Sequence, residues 1–360
     1  MSEAPVRFGY VGCGFVAQTI HIPNFRAQAD CDFLALAEVR RDLGRRVAQR
    51  YGIPRVYADH RELAADPEIE AVGVSAPFAL QGRIAEDLLR AGKHVFMEKP
   101  MAISLARGEA ILAAARESGK RLMVGYMKRY DPGNLLLRER LQAWRASGEC
   151  GRIVLARNHG FCGNWTYARD PNVAWEESEE AAPAPDDAAD YPAWLPEERR
   201  GSYVGYLQQW THNINLLRFL LGDEAGEARV AEVMLDEDGM TGLTVLDIGG
   251  VRAVVESGMT RFHAWEEHTT VYFEGGWLRT AAPPLMHKET PATVEIYRAA
   301  HGEKPARETR EFAPPAWSYR EEDRHFLAQV RSGEPFRSSG EDTLADVRLC
   351  EEIYRRYLQV

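Results

Sequence analysis

The stretch "GYVGCGFVAQ" at residues 9–18 decides how the first third of this chain is read. Gly12, Gly14 and Ala17 form a GxGxxA pattern directly after an apolar run. In such a loop the first glycine makes the turn. The second lets backbone N–H groups approach a pyrophosphate, and the small third residue brings a helix close to the sheet. The pattern is short and common, so its meaning rests on its surroundings. Working outward, "VRFGYVG" (6–12), "FLALAEV" (33–39), "AVGVSAP" (71–77), "HVFMEKP" (94–100) and "RLMVGYM" (121–127) read as strands buried on both faces. The stretches "RRDLGRRVAQRYG", "ALQGRIAEDLLRAGK" and "SLARGEAILAAARESGK" between them carry apolar residues at helical spacing and end in glycine. Strand and helix in alternation predict a parallel, doubly wound α/β sheet with right-handed crossovers, a dinucleotide-binding domain over residues 1–125.

After a helical stretch near 134–147 the pattern changes. "RIVLARNHGF", "RVAEVMLD", "GLTVLDIG", "VRAVVESGM", "TTVYFEGGWLRT" and "ATVEIYR" read as strands joined by turn residues, interrupted mainly by the helical "YVGYLQQWTHNINLLRFLLG". This predicts an α+β domain over 126–360 with a largely antiparallel sheet. Residues 317–331 and 341–357 read as closing helices able to pack back on the first domain. The segment "WEESEEAAPAPDDAADYPAWLPEERR" at 175–200 is rich in acid, alanine and proline. It reads as a solvated loop, or as a lid over a substrate cleft.

The chain has 360 residues, enough for two domains, and a formal charge of −10. Such a surface repels a nucleic-acid backbone or an anionic membrane, which leaves a small molecule as the expected partner. Cys13, Cys31, Cys150, Cys162 and Cys350 are odd in number, with no CxxC pair and no metal-ligand spacing, and read as reduced thiols. No basic and apolar leader opens the sequence and no apolar run is long enough to span a bilayer, so the expected location is the cytoplasm.

Two acids bear on the glycine loop. Glu38 stands at the end of the second strand, 24 residues beyond Gly14, where a carboxylate accepts hydrogen bonds from an adenosine ribose. Its charge opposes a 2′-phosphate and favours NAD, while Arg40 and Arg41 could neutralise that phosphate and admit NADP. Glu98, Lys99 and Pro100 fall at the carboxyl end of the fourth predicted strand, the edge where ligands of such sheets gather, and Pro100 restricts the backbone of Lys99.

With these motifs the sequence resembles the Gfo/Idh/MocA oxidoreductases. The resemblance runs along nearly the whole chain: the glycine loop, "SAP" at 75–77, "EKP" at 98–100, "GYMKRYDPG" at 125–133 and "HNINLLRFLLG" at 212–222. It implies a Rossmann domain followed by an open-sheet domain, a nicotinamide cofactor, and sugar, cyclitol or polyol substrates. It also implies a homo-oligomer, dimer or tetramer, assembled through the open sheet. By the same resemblance Gly12, Gly14, Phe15 and Val16 would meet the pyrophosphate. Ser75, Ala76 and Pro77 would line the cofactor, and Glu98 and Lys99 would sit near the nicotinamide.

The family commonly carries DxxxH in its second domain, and here His212 is preceded four residues earlier by Gln208. Gln208, His212 and Asn215 fall on one helix face, with Ile214, Leu217 and Leu221 as an opposing core stripe. Alcohol oxidation needs a base for the hydroxyl proton and a cation for the developing alkoxide. His212 suits the first role and Lys99 the second, while Gln208 can orient the ring but lends it little charge. Three readings compete: a net dehydrogenase, a redox-neutral enzyme that keeps its nicotinamide, and a regulator without turnover. Further candidates for substrate contact are Tyr126 and Lys128 after the fifth strand, His159 near Arg157, and Asn164, Trp165, Tyr167 and Arg169, a set suited to stacking on a sugar. Each has an alternative role as a loop or interface residue.

Overall fold

A computed structural model describes residues 4–166, 169–181, 190–223, 225–261 and 265–360. The chain divides into two compact units. The first comprises Met1–Tyr126, Pro171–Ala193 and Tyr319–Val347, and the second Met127–Asp170, Trp194–Ser318 and Arg348–Val360. The single boundary expected near residue 126 is therefore crossed four more times, after 170, 193, 318 and 347. Local chemistry explains the returns to the first unit. Glu176 pairs with Arg46 and Arg50, Asp190 with Arg83 and Arg107, and Phe326 packs edge-on against Phe8 and Phe25.

The first unit holds a six-stranded sheet: β1 (Val6–Val11), β2 (Cys31–Ala37), β3 (Arg55–Tyr57), β4 (Ala71–Val74), β5 (His94–Glu98) and β6 (Leu122–Gly125). Their spatial order is β3-β2-β1-β4-β5-β6 and every pairing is parallel. The order reverses at β1 and β4, which opens a crevice at their carboxyl ends. Every residue of β4 and β6 is buried, as their unbroken apolar sequences require. The β6 edge is covered from the far end of the chain: Ser338 accepts from Val124 N–H at 2.9 Å and donates its hydroxyl to Val124 O at 2.6 Å. The crossover helices include α2 (Arg41–Tyr51), α4 (Phe78–Arg90) and α5 (Leu105–Ser118). Of these, α2 and α5 end in a left-handed glycine, Gly52 and Gly119. Four elements of this unit escape the sequence reading: β3, the short α3 (His60–Ala65), a π-helical turn at Ala17–His21, and α1 (Ile22–Arg26), into which that turn runs.

The second unit carries an eight-stranded sheet of β7 (Ile153–Cys162), β8 (Arg229–Leu235), β9 (Gly242–Ile248), β10 (Val251–Met259), β11 (Glu266–Phe273), β12 (Gly276–Ala281), β13 (Thr293–Arg298) and β14 (Arg307–Glu311). Its order is β14-β13-β12-β11-β7-β10-β9-β8. Only the β7–β10 pair is parallel, so the sheet is mainly antiparallel as the sequence predicts. Helices α6 (Pro132–Ser147) and α7 (Arg200–Leu221) cover one face. Asp131 caps α6, accepting from Gly133 N–H at 2.8 Å, and Pro132 opens its first turn. Along β7 buried Ala156, Asn158 and Gly160 alternate with half-buried Arg157, His159 and Phe161, and α7 lies on the buried side, where Gly160 faces Asn213 and Trp210. Two further helices, α8 (Ser318–Ser332) and α9 (Gly340–Leu358), close the chain. Among the described residues no helix is long and apolar enough to cross a membrane, and all five cysteines are free and buried.

Candidate active site

In the first unit the glycine loop leaves β1 at the crevice. Gly12 has φ of 94°, and a Cβ there would overlap the Ser75 carbonyl oxygen, so only glycine fits. A Cβ on Gly14 would meet nothing within 4 Å, so the loop is open on that side. Phe15 and Val16 are half-buried beside it. From the next strand Ser75, Ala76 and Pro77 lead into α4. The Ser75 hydroxyl bonds the Tyr10 phenol, and Ser75 N–H donates to Val11 O at 3.0 Å. Two loops at adjacent strand ends, one bare at Gly12 and Gly14, fit a nicotinamide dinucleotide: Gly12, Gly14, Phe15 and Val16 would face its pyrophosphate, and Ser75 to Pro77 would line its path.

Glu38 does not present an idle carboxylate. It is buried, and its Oε2 accepts Cys13 N–H at 2.7 Å and Arg40 Nη2 at 3.1 Å. Its Oε1 accepts Arg40 Nε at 2.7 Å and Arg40 N–H at 3.1 Å. Four donors fill the usual acceptor capacity of a carboxylate. Glu38 therefore shapes the glycine loop, and the Arg40 guanidinium, 27% exposed, stands between it and solvent. A ribose must displace Arg40 to reach Glu38, whereas a 2′-phosphate would meet Arg40 directly.

At the end of β5, Glu98 Oε2 accepts Lys99 N–H at 3.0 Å and Oε1 lies 2.9 Å from His21 Nε2. Gln81 Nε2 spans the turn, donating to Glu98 O and, at 3.0 Å, to Pro100 O. The Lys99–Pro100 bond is cis, and the half-buried Lys99 ammonium lies 5.8 Å from the Phe78 ring centre. The backbone on both sides of Lys99 is thus pinned, and the side chain issues from the same sheet edge as the glycine loop.

The second-unit candidates scatter. His212 is buried and Gln208 half-buried on α7. From Trp210 to Leu221 this helix is buried all round, so the expected core stripe at Ile214, Leu217 and Leu221 is not set apart from its other faces. Asn215 accepts from Arg129 Nε at 2.7 Å, which ties it to the turn at Met127–Tyr130. Lys128 is buried against Glu267, which also accepts from Trp265 Nε1 at 2.8 Å. Burial lowers the lysine pKa, opposed by the Glu267 charge. His159 projects from the face of the sheet opposite α7. There it bonds Glu256 at 2.7 Å and stacks on Phe161 and His268, away from His212. Asn164 closes its own turn by accepting from Thr166 N–H at 3.1 Å, and Trp165 is half-buried within that turn. Tyr167 lies outside the described residues. In the first unit Tyr126 is buried in the apolar core with Met97 and Val124.

Sequence reading missed the partners that hold these groups: His21, Asn24 and Asp323 around Glu98, and Glu267 around Lys128. The one local signal was a histidine directly following the glycine-loop turn, in "HIPN" at 21–24. The acid segment at 175–200 is also not simply solvated. In its described parts Ser178 donates to Asp42 Oδ1 at 2.7 Å and Trp175 packs edge-on against Phe15 at 5.1 Å. Asp190 joins Arg83 and Arg107, which hold its carboxyl down at about 2.

Residues 6–126 match the model of an oxidoreductase family with an NAD-binding Rossmann fold, Gfo/Idh/MocA. The chain is 25% identical to myo-inositol 2-dehydrogenase of Thermotoga maritima, over 94% of this chain and 92% of that one. It is 24% identical to inositol 2-dehydrogenase of Rhizobium meliloti, over 97% and 96%. A solved 3-ketoreductase from Actinomadura kijaniata, in complex with NADP and TDP-benzene, superposes with a TM-score of 0.72 at 22% identity. It covers 97% of both chains, a likeness of fold. With its glycine loop, its strand order and its match at 6–126, the first unit carries the NAD(P)-binding Rossmann fold of the Gfo/Idh/MocA oxidoreductases, and the rest of the chain is similar along its length to inositol dehydrogenases.

Proposed function

We propose that this protein transfers a hydride between a nicotinamide cofactor and a CH–OH carbon of a sugar, cyclitol or sugar-derived polyol. The observation that carries the reading is Lys99, pinned by Glu98 and Gln81 at the sheet edge that also bears the glycine loop. The nicotinamide, when bound, supplies the hydride acceptor or donor. Lys99 polarises the reacting oxygen and stabilises negative charge on it, and His212 takes up or returns the hydroxyl proton at its imidazole. Gln208, one turn before His212, orients the ring or binds substrate without adding charge. The substrate class is supported by the inositol dehydrogenases and the ketoreductase that the chain resembles. The half-buried face of the eight-stranded sheet, with Leu155, Phe161 and Tyr272 among charged residues, supports a homo-oligomer formed through that face. A cytoplasmic location is part of the same proposal.

The testing experiment mixes purified protein with NAD or NADP and a panel of inositols and sugars, and follows the near-ultraviolet band of the reduced nicotinamide. Growth of that band with one cofactor and one substrate class is the expected result. Gln208→Asp is expected to raise the His212 pKa and move the acidic limb of the pH–rate profile up by about one unit. An unmoved limb would separate Gln208 from His212. A redox-neutral cycle with retained cofactor is favoured by one observation, the segment at Trp175–Glu180 laid against Phe15 and α2, which would slow cofactor exit. Substrate conversion without net reduction of the cofactor would select it.

A further inference from the structure

We propose that His21 is a positioning residue for Lys99, a buried imidazolium that clamps the Glu98 carboxylate from below while Glu98 holds the Lys99 backbone amide. The inference rests on Lys99 being the catalytic cation. Its geometry stands within the first unit alone. The His21 ring is fully buried, and each nitrogen faces a carboxylate: Nε2 lies 2.9 Å from Glu98 Oε1 and Nδ1 2.9 Å from Asp323 Oδ1. Ionised carboxylates only accept hydrogen bonds, so two of them on one ring require a proton on both nitrogens. Asp323 is fixed in turn by Asn24 Nδ2 at 3.0 Å, and the free side of Glu98 takes Lys99 N–H at 3.0 Å. The series Asn24, Asp323, His21, Glu98, Lys99 thus runs unbroken from α1 by way of α8 to the strand end that bears Lys99.

The surroundings keep the charge on the ring. Phe96 and Tyr319 pack edge-on against it at 5.0 and 6.2 Å, and Tyr10 lies parallel at 6.2 Å, so water does not screen the contacts. Burial alone would strip the proton from His21, but the Asp323 and Glu98 carboxylates outweigh it and hold its pKa well above the usual value. A third carboxyl, Glu322, is fully buried and, among the described residues, has no hydrogen-bond partner on either oxygen. Burial first, then the charges of Glu98 and Asp323, push its pKa far up. Glu322 is therefore the neutral acid of the group, and the cluster keeps one imidazolium between two carboxylates. His21, Glu322 and Asp323 also bring ligand atoms within 4.8 Å of one another, as a metal site would, yet both imidazole nitrogens are already engaged as donors. If the ring lost a proton it could serve only one carboxylate, and the other would be left buried and unpaired.

The test begins with the unmodified protein. Among its ten histidines, nitrogen-15 NMR is expected to show one ring protonated on both nitrogens up to pH 9. A set of rings all neutral at pH 9, or a stoichiometric divalent metal in the purified protein, would overturn the proposal. In Asp323→Asn that ring should deprotonate below pH 9. Turnover should fall about tenfold, cofactor affinity should stay within twofold, and the basic limb of the pH–rate profile should move down by at least one unit. An unchanged limb with the ring deprotonated would show that His21 does not position Lys99. Glu322→Gln, which replaces a neutral acid by a neutral amide, should leave both the ring signal and turnover in place, and loss of the signal would assign the proton to Glu322 instead. Full activity in Lys99→Met would refute the catalytic lysine while leaving the NMR result standing, so the two failures are distinguishable.

Discussion

Strand β4 of the six-stranded sheet has no residue facing water, whereas β7 of the eight-stranded sheet turns every second residue to a half-open face. The difference decides where chemistry can sit. A sheet covered on both faces offers ligands only its strand ends, so the groups proposed for cofactor and substrate lie in short loops directly after strands, at Gly12, Ser75 and Lys99. A sheet covered on one face offers two surfaces. In the second unit they divide: α7 with His212 lies on one, and His159, Glu256 and His268 lie on the other. The candidate groups of the first unit therefore sit in recognisable motifs, and those of the second are defined by their tertiary surroundings.

The sharpest way to break that contrast is Lys99→Met. Turnover should fall by about three orders of magnitude, the scale of a lost charge stabiliser in a closed site, with cofactor affinity unchanged by tryptophan quenching. Unaltered turnover would remove the first unit's claim to the chemistry. Next in size is Gly12→Ala. The added Cβ meets the Ser75 carbonyl in a left-handed backbone, so cofactor affinity should drop about a hundredfold and the melting temperature should fall. Cofactor titration and thermal unfolding check it.

Arg40→Ala uncovers Glu38 and should shift the ratio of NADP to NAD affinity about tenfold toward NAD. An unshifted ratio would place the phosphate recognition elsewhere. An effect on stability rather than on binding belongs to the second unit, at Asp131. Burial raises its pKa to about 6, against the lowering by Ala292, Gly133 and Asn134 backbone N–H groups. The folded state therefore binds this proton more tightly than the unfolded chain. Its contribution is complete below pH 4 and is lost as pH rises through 6, a change of roughly 2–3 kcal/mol. Denaturant unfolding between pH 4 and 7 should show this slope in the native protein and lose it in Asp131→Asn.

The same contrast governs what the sequence made legible. The five parallel strands and their helices were readable because a strand buried on both faces is an apolar run, and the glycine loop because its turn admits only one residue type. Strand β3 has three residues at an edge, and β14, "RETRE" with no buried position, lacks any apolar alternation to detect. The Glu98 pairing with His21 lay beyond reach for another reason: Asp323, which completes it, sits in "REEDRHF", a run that reads as a solvated helix face. Asn215 and Lys128 read in the sequence as candidate substrate contacts. What could not be seen was that Arg129 and Glu267 occupy them, because those contacts depend on the packing of distant elements.

The contact between His21 and Asp323 joins residues 302 positions apart. During synthesis the first strands of the nucleotide-binding unit leave the ribosome long before α8 does. At ordinary rates of translation roughly 15–60 s separate the two residues. Until the second arrives, His21 has only Glu98 to pair with, and the apolar surface of Phe25 and Phe96 that meets Phe326 is bare. The unit whose sequence announces itself earliest is thus among the last to close. A nascent chain stalled or truncated after residue 126 should engage chaperones rather than bind cofactor.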